Sequence, residues 1–474
     1  MFLVALLTVV VGAYLLFVQY KAYQTRRLHF PGPPLIPLLS AWFAYARFLW
    51  MGVPTAAAYY LKHYGDTVRV WIAGDETIIT CRPDYAYHVL KSNNYRQRFG
   101  CETGLQHLGM YHSGIIWNND VQKWKHLRSF FQKALNANGL DRAIESAACA
   151  ARKQLHQIPQ LQNARPDGLL DGLNFLRGIT LDITADLMLR VHIANGPQVV
   201  EEIVQYFKAW EYFLIKPAWL YHFQPQFQKH KKAVVALNRS VHEIVETRRA
   251  TEWKTADDFL ANLLKSEENG EVSSVDLEQC VLEMFLAGTD TSSVTMYYTL
   301  VALSDNPGIE EKVLEEITRV VGLEIPNKRN LAELTYMEKV LKESLRAKPV
   351  GPVILRRAIS DDVMDNHSIP EGTNIILHLA QMHRDPRNFT SPNGFNPEHF
   401  NKDMQFQYVP FGTGPKGCVG QYLAMLEMKV VLSIVLPRYK FRTLSRDGTL
   451  EDLETHWDIA NQPTNECLVT CEER

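Results

Sequence analysis

The sequence predicts a mainly α-helical fold with a small β region, forming one large domain after an N-terminal apolar segment. Three observations predict it. From about residue 81 to Lys348, long amphipathic patterns run with few strand signals. Strand-like alternation is confined to a stretch at 68–80 and a late one at 358–376. A glycine-rich turn at 411–420 then opens into a final apolar helical pattern.

Composition narrows the function classes. A chain of 474 residues exceeds an ordinary domain, although large single-core enzymes reach this size. Acidic and basic residues nearly balance, at a formal charge of −2. Nucleic acid is therefore not expected as a partner, because phosphate binding needs a basic excess or patch. The seven cysteines are odd in number, scattered, and include no Cys-x-x-Cys. A disulfide framework or structural zinc site is not expected, and a reducing compartment is.

Taken in order, Phe2 to Val18 is almost wholly apolar, broken only by Thr8 and Gly12. The run is near the length that crosses a bilayer core. Lys21, Arg26 and Arg27 follow it and place the rest of the chain on the cytosolic side. A cleaved signal peptide is the alternative, but it carries its positive charge ahead of the apolar run and a small-residue cleavage site behind. The expected division is a transmembrane signal anchor at 1–20, a basic, Pro-rich hinge at 21–36, and the main domain at 37–474. Pro31-Gly32-Pro33-Pro34 stiffens the hinge, since proline fixes φ and cannot continue a helix.

Val68, Val70 and Ile72 alternate, Gly74-Asp75 turns, and Thr77 to Thr80 returns, which reads as a hairpin. Gln157 to Gly168, with Pro159 and Pro166, reads as a surface loop, as does Ser266 to Glu271. Ser273 to Asn306 reads as one long helix, opened by a capping-box pattern at Ser273 and Asp276 and closed by Pro307. Its middle runs Phe285-Leu286-Ala287-Gly288-Thr289-Asp290-Thr291. Ala287 and Gly288 leave room for a flat ligand, and Asp290 and Thr291 can carry protons. A solvated polar face is the plainer reading, but Phe285, Leu286, Val294 and Met296 flank it. Glu343 and Arg346 lie three residues apart on another helical pattern, so they can pair.

The most specific stretch is Phe411-Gly412-Thr413-Gly414-Pro415-Lys416-Gly417-Cys418-Val419-Gly420. Four glycines and a proline force a tight turn. Leu423, Leu426, Val430 and Ile434 recur at helical spacing beyond it, which puts Cys418 at a helix N-terminus. Unpaired N–H groups and the helix dipole there favour a thiolate, the form that ligates iron. A buried structural cysteine is the bland alternative for a bare Cys-x-Gly.

The full pattern resembles the haem-binding loop of the cytochrome P-450 monooxygenases. Ala287-Gly288-Thr289-Asp290-Thr291 resembles their oxygen-activating helix, and Glu343-x-x-Arg346 their structural Glu-x-x-Arg, locked to a loop that here reads Asn396-Pro397-Glu398-His399-Phe400. The resemblance implies the P-450 fold and haem b, with Cys418 as axial thiolate ligand, Phe411 covering the sulfur side of the ring, and Asp290 and Thr291 as catalytic proton carriers. It also implies electrons from NADPH through the P-450 reductase docked on the cysteine side, a lipid bilayer as partner, and the endoplasmic reticulum membrane as location.

Longer strings sharpen the resemblance toward the aromatase branch of that family: RFLWMG at 47–52, RVWIAGDETII at 69–79, GIIWNN at 114–119 and GTNIIL at 372–377. That branch implies a C19 androgen as steroid substrate, oxidised successively at C19 until the A ring becomes phenolic. By position, Arg98, Trp124, Arg128, Arg356 and Lys416 match residues that hold the haem propionates. Ile116, Trp117, Phe207, Trp210, Leu286, Ala287, Thr291, Gly351, Ile354, Leu355, Ile459 and Ala460 match the apolar steroid pocket. Asp290 matches the acid that meets the steroid 3-oxygen, with Arg190 and Glu283 as its polar neighbours, and the Leu355 backbone N–H matches the donor to the 17-oxygen. Thr289 departs from a usual proline, Trp117 from phenylalanine, Leu355 from methionine, Pro352 from an acid, Lys416 from arginine or histidine, and His399 from arginine. A hydroxylase that stops after one oxygen insertion, and a haem-containing sterol-binding protein without turnover, are the alternatives.

Overall fold

The computed structural model describes residues 2–25, 27–34, 40–135, 140–322, 324–444 and 449–474. The N-terminal third carries α1 (Phe2–Thr25), α2 (Ser40–Met51), α3 (Val53–Tyr64), β1 (Thr67–Ile72), β2 (Asp75–Thr80), α4 (Pro83–Lys91), α5 (Glu102–His107), α6 (Val121–Ala134) and α7 (Leu140–Leu155). The helical middle continues with α8 (Ile158–Asn163), β3 (Leu170–Asp171), α9 (Gly172–Thr184), α10 (Gly196–Ile215), α11 (Gln226–Arg249), α12 (Phe259–Glu268), α13 (Ser274–Asp305), α14 (Pro307–Val320), α15 (Lys328–Glu333) and α16 (Thr335–Ala347). Then come β4 (Val353–Arg357), β5 (Asp362–Met364), β6 (His367–Ile369), β7 (Asn374–His378), α17 (Leu379–Met382), α18 (Gln421–Val435), β8 (Tyr439–Thr443), β9 (Thr455–Asp458), β10 (Ala460–Pro463) and β11 (Leu468–Glu473).

The expected hairpin is β1–β2, paired from Thr67↔Thr80 to Ile72↔Asp75. It extends into a sheet of order β1-β2-β7-β4, with β2 and β7 parallel and β4 antiparallel to β7. The late sheet therefore begins at Val353, five residues before the alternation at Ala358 suggested, because Val353 to Leu355 form an unbroken apolar run without a period of two. The strands β8 to β11 had no sequence signal. Gln157 to Gly168 is only partly a loop: Pro159 sits in the first turn of α8, where a proline N–H would be unpaired anyway. α12 likewise runs three residues into the expected loop at 266–271.

α13 matches its expected span. The Ser273 hydroxyl accepts from the Asp276 backbone N–H at 3.1 Å. The helix is continuous through Thr289, as a residue with a backbone N–H allows. α9 crosses it at Gly288, where a Cβ would lie 2.6 Å from the Thr184 hydroxyl.

The N-terminus departs from expectation. Among the described residues no helix is long and apolar enough to cross a membrane, so the expected spanning anchor is not supported. α1 instead runs on to Thr25, and Val18 and Ala22 pack with Ala41 and Trp71 against the domain. Lys21 pairs with Asp75 at 2.7 Å, and the Gln19 side chain accepts from the Ala41 N–H. Arg26 and residues 35–36 of the expected hinge lie outside the described residues. The part between is laid along β1: the Arg69 N–H donates to Pro31 O at 2.8 Å, and the Glu76 carboxylate accepts from the Arg27 and Leu28 N–H groups.

Candidate active site

The glycine-rich stretch folds as its composition demands. The Cys418 N–H donates to Phe411 O at 2.8 Å and the Gly417 N–H to Gly414 O at 3.0 Å, which closes the loop on itself. Gly414 has φ of 70°, and a Cβ there would run into the Leu90 carbonyl oxygen, so both conformation and space require glycine. Cys418 lines a cavity of about 400 Å³ and also borders a second hollow. The cavity also meets Ala287, Gly288, Thr291, Ser292 and Thr295 of α13, Gly351 and Ile354 beside β4, and Phe411 in the loop.

One end of this cavity is cationic. Arg98, Arg356 and Lys416 line it. Arg128 stands close by, its guanidinium donating to Gly417 O at 2.7 Å. Lys416 lies 4.2 Å over the Trp124 ring and donates to Asn118 O at 3.2 Å. Burial, with Arg98 and Arg356 alongside, pushes the Lys416 ammonium down to about 6. Burial pushes Arg98 down to about 10 and lowers Arg356 and Arg128. The Arg98 Nε and Trp124 Nε1 atoms are buried without an acceptor. Crowded, desolvated cations with spare donors call for an anion. The paired propionates of a haem, with the ring between Cys418 and α13, fit this donor set.

Cys418 corrects one expectation. Burial raises its thiol above the ordinary value, although the Gly420 N–H, Arg128 and the Gln421 N–H pull the other way. The helix N-terminus alone therefore does not hold the thiolate. A metal cation bound there would supply the missing charge, because coordination deprotonates a thiol outright.

Asp290 is where the structure differs most from the sequence reading. It is fully buried but does not line the cavity. Its carboxylate turns toward α9, where Arg177 Nε donates at 2.9 Å and Arg177 Nη2 lies at 2.8 Å. The Gln462 amide of β10 donates to the other oxygen, and the Arg177 guanidinium donates to Gln462 Oε1 at 2.8 Å. Arg190, expected beside Asp290, is an exposed residue in left-handed conformation after the π-turn at 185–189. Arg177 holds that place. A lone cation in the apolar pattern of α9 was the overlooked signal.

The carboxyl that does face the cavity beside the cations is Glu283. It accepts from the Ile115 and Ile116 N–H groups at 2.6 and 3.0 Å and from Gln279 at 3.2 Å. Burial outweighs these donors and pushes it up to about 7. The Thr291 hydroxyl lines the cavity and donates to Ala287 O at 2.7 Å, which leaves its lone pairs free to accept.

The residues expected to form the steroid pocket divide. Ile116, Ala287, Thr291, Gly351 and Ile354 line the cavity. Trp117, Phe207, Trp210, Leu286, Leu355, Ile459 and Ala460 do not. Trp210 meets Trp117 edge-on at 5.8 Å and stacks on Phe207 at 5.9 Å, so the three rings fill space that a smaller residue at 117 would leave open. Leu286 and Leu355 are buried in the core. Ile459, with φ of 64°, turns β9 into β10, and Ala460 packs in the second core.

The buttress is complete. Arg346 and Glu343 are both fully buried and paired through two hydrogen bonds of 2.8 Å. Arg346 also donates to His383 O, Pro392 O and Gly394 O. His399 takes the third position, its Nδ1 at 3.2 Å from Glu343 and its Nε2 at 2.7 Å from Thr390 O.

The family model described as "Cytochrome P450" matches residues 30–468. The chain belongs to the cytochrome P-450 family. It is thus a haem-iron monooxygenase with thiolate ligation and electrons supplied by a reductase. Among its relatives, Aromatase 2 of Sus scrofa is 36% identical over 439 residues, 91% of this chain and 86% of the relative. The Aromatase of Homo sapiens is 35% identical over 458 residues, 95% and 89% of the two chains. The Aromatase of Mus musculus is 36% identical over 442 residues, 92% and 87%.

Proposed function

We propose that this P-450 is an aromatase, converting C19 androgens to estrogens by successive oxidation at C19 and aromatisation of the A ring. The likeness to aromatases over most of both chains supports the substrate class. The cavity between Cys418 and α13, cationic at one end and apolar along Ile116, Ala287 and Ile354, is the observation that carries the site.

In this proposal Cys418 is the axial ligand, Phe411 covers the sulfur side, and Arg98, Trp124, Arg128, Arg356 and Lys416 hold the propionates. Haem supplies oxygen activation at its iron. The protein residues do the rest. The small side chains of Ala287 and Gly288 keep the α13 face open. The Thr291 hydroxyl, its proton committed to Ala287 O, accepts from cavity water and holds it in place. Glu283, near neutrality in its titration, exchanges a proton with the cavity at its cationic end. Arg177 fixes Asp290, which keeps α13 anchored to α9 and β10.

NADPH-derived electrons arrive through P-450 reductase on the cysteine side, where a second hollow lined by lysines and carboxylates alike reaches Cys418. Retention at the endoplasmic reticulum membrane uses an apolar surface: Leu16, Phe17 and Tyr20 of α1 and Phe43, Trp50 and Met51 of α2 are exposed.

The test is turnover of androstenedione with reductase, measuring estrone and formate together. Both products are expected. A hydroxylated androgen without formate would favour the single-insertion hydroxylase, to which the filled Trp117–Trp210–Phe207 corner points. Cys418→Ser is expected to abolish the red-shifted band of the reduced carbonyl complex. Survival of that band would overturn the ligand assignment.

A further inference from the structure

The junction between α11 and α12 carries a hydroxyl that the haem cavity does not use. The chain contains three adjacent arginine pairs, Arg26-Arg27, Arg248-Arg249 and Arg356-Arg357. Only Arg248-Arg249 is followed, after one residue, by a hydroxyl side chain, Thr251. α11 ends at Arg249, and Thr251 is exposed in the short connection to α12. Exposed connections between helices are where modifying enzymes reach a folded chain.

The threonine stands against a guanidinium with a donor to spare. Arg248 Nη1 donates to Thr251 Oγ1 at 2.9 Å, and the hydroxyl donates to Arg248 O at 2.7 Å. Arg248 Nη2 donates to Asp258 at 2.7 Å. Asp258 in turn accepts from the Ala261 N–H and caps α12. The Arg248 side chain is 6% exposed, yet its Nε has no acceptor among the described residues. One carboxylate and one hydroxyl do not saturate five N–H donors in a fixed fork. Arg249 is more open and pairs with Glu246 and Glu267. A buried unpaired donor beside an exposed hydroxyl fits an oxyanion carried on that hydroxyl.

We propose that Thr251 is a phosphorylation site, modified by an arginine-directed protein kinase, and that Arg248 receives the phosphate. Arginines three and two residues before the acceptor complement an acidic kinase groove. Arg249 is already accessible. Arg248 follows when the last turn of α11 opens, held there by the 3.1 Å bonds of the Ala250 and Thr251 N–H groups, and kinase carboxylates then take the place of Asp258. In the transfer Thr251 Oγ1 attacks the γ-phosphorus of ATP. One O–P bond forms as the bond to ADP breaks, and the hydroxyl proton leaves to a carboxylate of the kinase. When the turn closes, a neutral hydroxyl opposite Arg248 has become a group with up to about two negative charges and three strong acceptor oxygens. It competes with Asp258 for the guanidinium, which loosens the cap of α12. The inference does not depend on the identity of the steroid.

The test treats the haem-loaded full chain with cyclic-AMP-dependent protein kinase and Mg-ATP, as wild type, Thr251→Ser, Thr251→Ala and Arg248→Lys. Peptide mass spectrometry should find a phosphate at position 251 in wild type and Thr251→Ser and none there in Thr251→Ala, whose carbonyl-complex spectrum should equal that of wild type. In phosphorus NMR the wild-type phosphate should titrate below the value of about 6 that a free monoester shows. The C-terminal end of α11 repels a dianion, so a lowered midpoint points to the arginine. Arg248→Lys keeps the charge but loses the fork, and its midpoint should move back toward about 6. Hydrogen exchange in the first turn of α12 should quicken on phosphorylation. No phosphate at Thr251, or the same total incorporation in Thr251→Ala, would overturn the site. A wild-type phosphate that titrates as a free one, or exchange in α12 that does not change, would overturn its capture by Arg248. If Arg248→Lys takes up too little phosphate to titrate, the wild-type midpoint decides alone. None of these readouts depends on estrone, so failure of the aromatase assignment stays distinct.

Discussion

Arg177 Nε donates to Asp290 Oδ1 at 2.9 Å where α9 crosses α13; the carboxylate is fully buried, the guanidinium nearly so, and neither lines the cavity that holds Cys418. The pair ties the middle of α13 to α9, and Gln462 extends the tie to β10. A buried pair is costly to break from one side, because the partner left behind is an uncompensated charge. Arg177→Ala should therefore destabilise the protein by about 3–5 kcal/mol, read by denaturant unfolding. Asp290→Asn should lower stability as well, and its loss of turnover should track the loss of folded, haem-bound protein. Full stability combined with a large fall in turnover would restore Asp290 to a direct chemical role.

Glu283 gives a pH signature. Its folded-state value of about 7 lies above the ordinary 4.5. Between those values the folded state holds a proton that the unfolded state has released. Stability from this group is therefore fully present below about 4.5 and lost as pH rises toward about 7. Glu283→Gln keeps an acceptor for Ile115 and Ile116 but cannot titrate. The difference between wild-type and variant unfolding free energies should slope across that window by roughly 3 kcal/mol in total. A flat difference would mean that Glu283 is ionised throughout.

The helical frame was legible in the sequence because its patterns are long and periodic. Ser273 and Pro307 bracket α13 through local chemistry alone, a cap at one end and a missing N–H at the other. The loop around Cys418 was legible because glycines at fixed offsets leave few backbone alternatives. The partner of Asp290 was not, since Arg177 lies 113 residues away and nothing local announces the crossing. The direction in which Asp290 points follows from that ion pair, and so was hidden with it. The aromatic corner was legible only in part: Trp117 is larger than the usual phenylalanine, but how it meets Trp210 and Phe207 is set by three-dimensional packing.

The Glu343–Arg346–His399 cluster predicts a graded series. Arg346→Ala leaves Glu343 buried and unpaired and removes donors from His383 O, Pro392 O and Gly394 O. It should cost about 3–5 kcal/mol and most of the haem incorporation. His399→Ala leaves the Arg346 pair and the Asn396 N–H on Glu343, so it should cost only about 1–2 kcal/mol. Haem content by absorbance and thermal midpoints would order the two variants. Equal effects would show that His399 is as indispensable as the arginine.

The packing of Gly288 in α13 against Thr184 in α9 offers a compensating pair. Gly288 costs α13 about 1 kcal/mol of helix propensity relative to alanine, so on local grounds Gly288→Ala should stabilise. A Cβ at 288, however, would sit 2.6 Å from Thr184 Oγ1, well inside contact distance. Either the Thr184 side chain turns or the helices part. Thr184 is buried at the end of α9 and lines the cavity, as does Gly288, so parting would disturb the cavity wall. Gly288→Ala alone should therefore lower the thermal midpoint and broaden the haem absorption band. Adding Thr184→Ala removes the hydroxyl that collides and should recover most of the loss. The recovery is the informative term, since two independent mutations would only add. If Gly288→Ala is stabilising by itself, the glycine is not required by the crossing and the close packing of α9 on α13 does not shape the cavity.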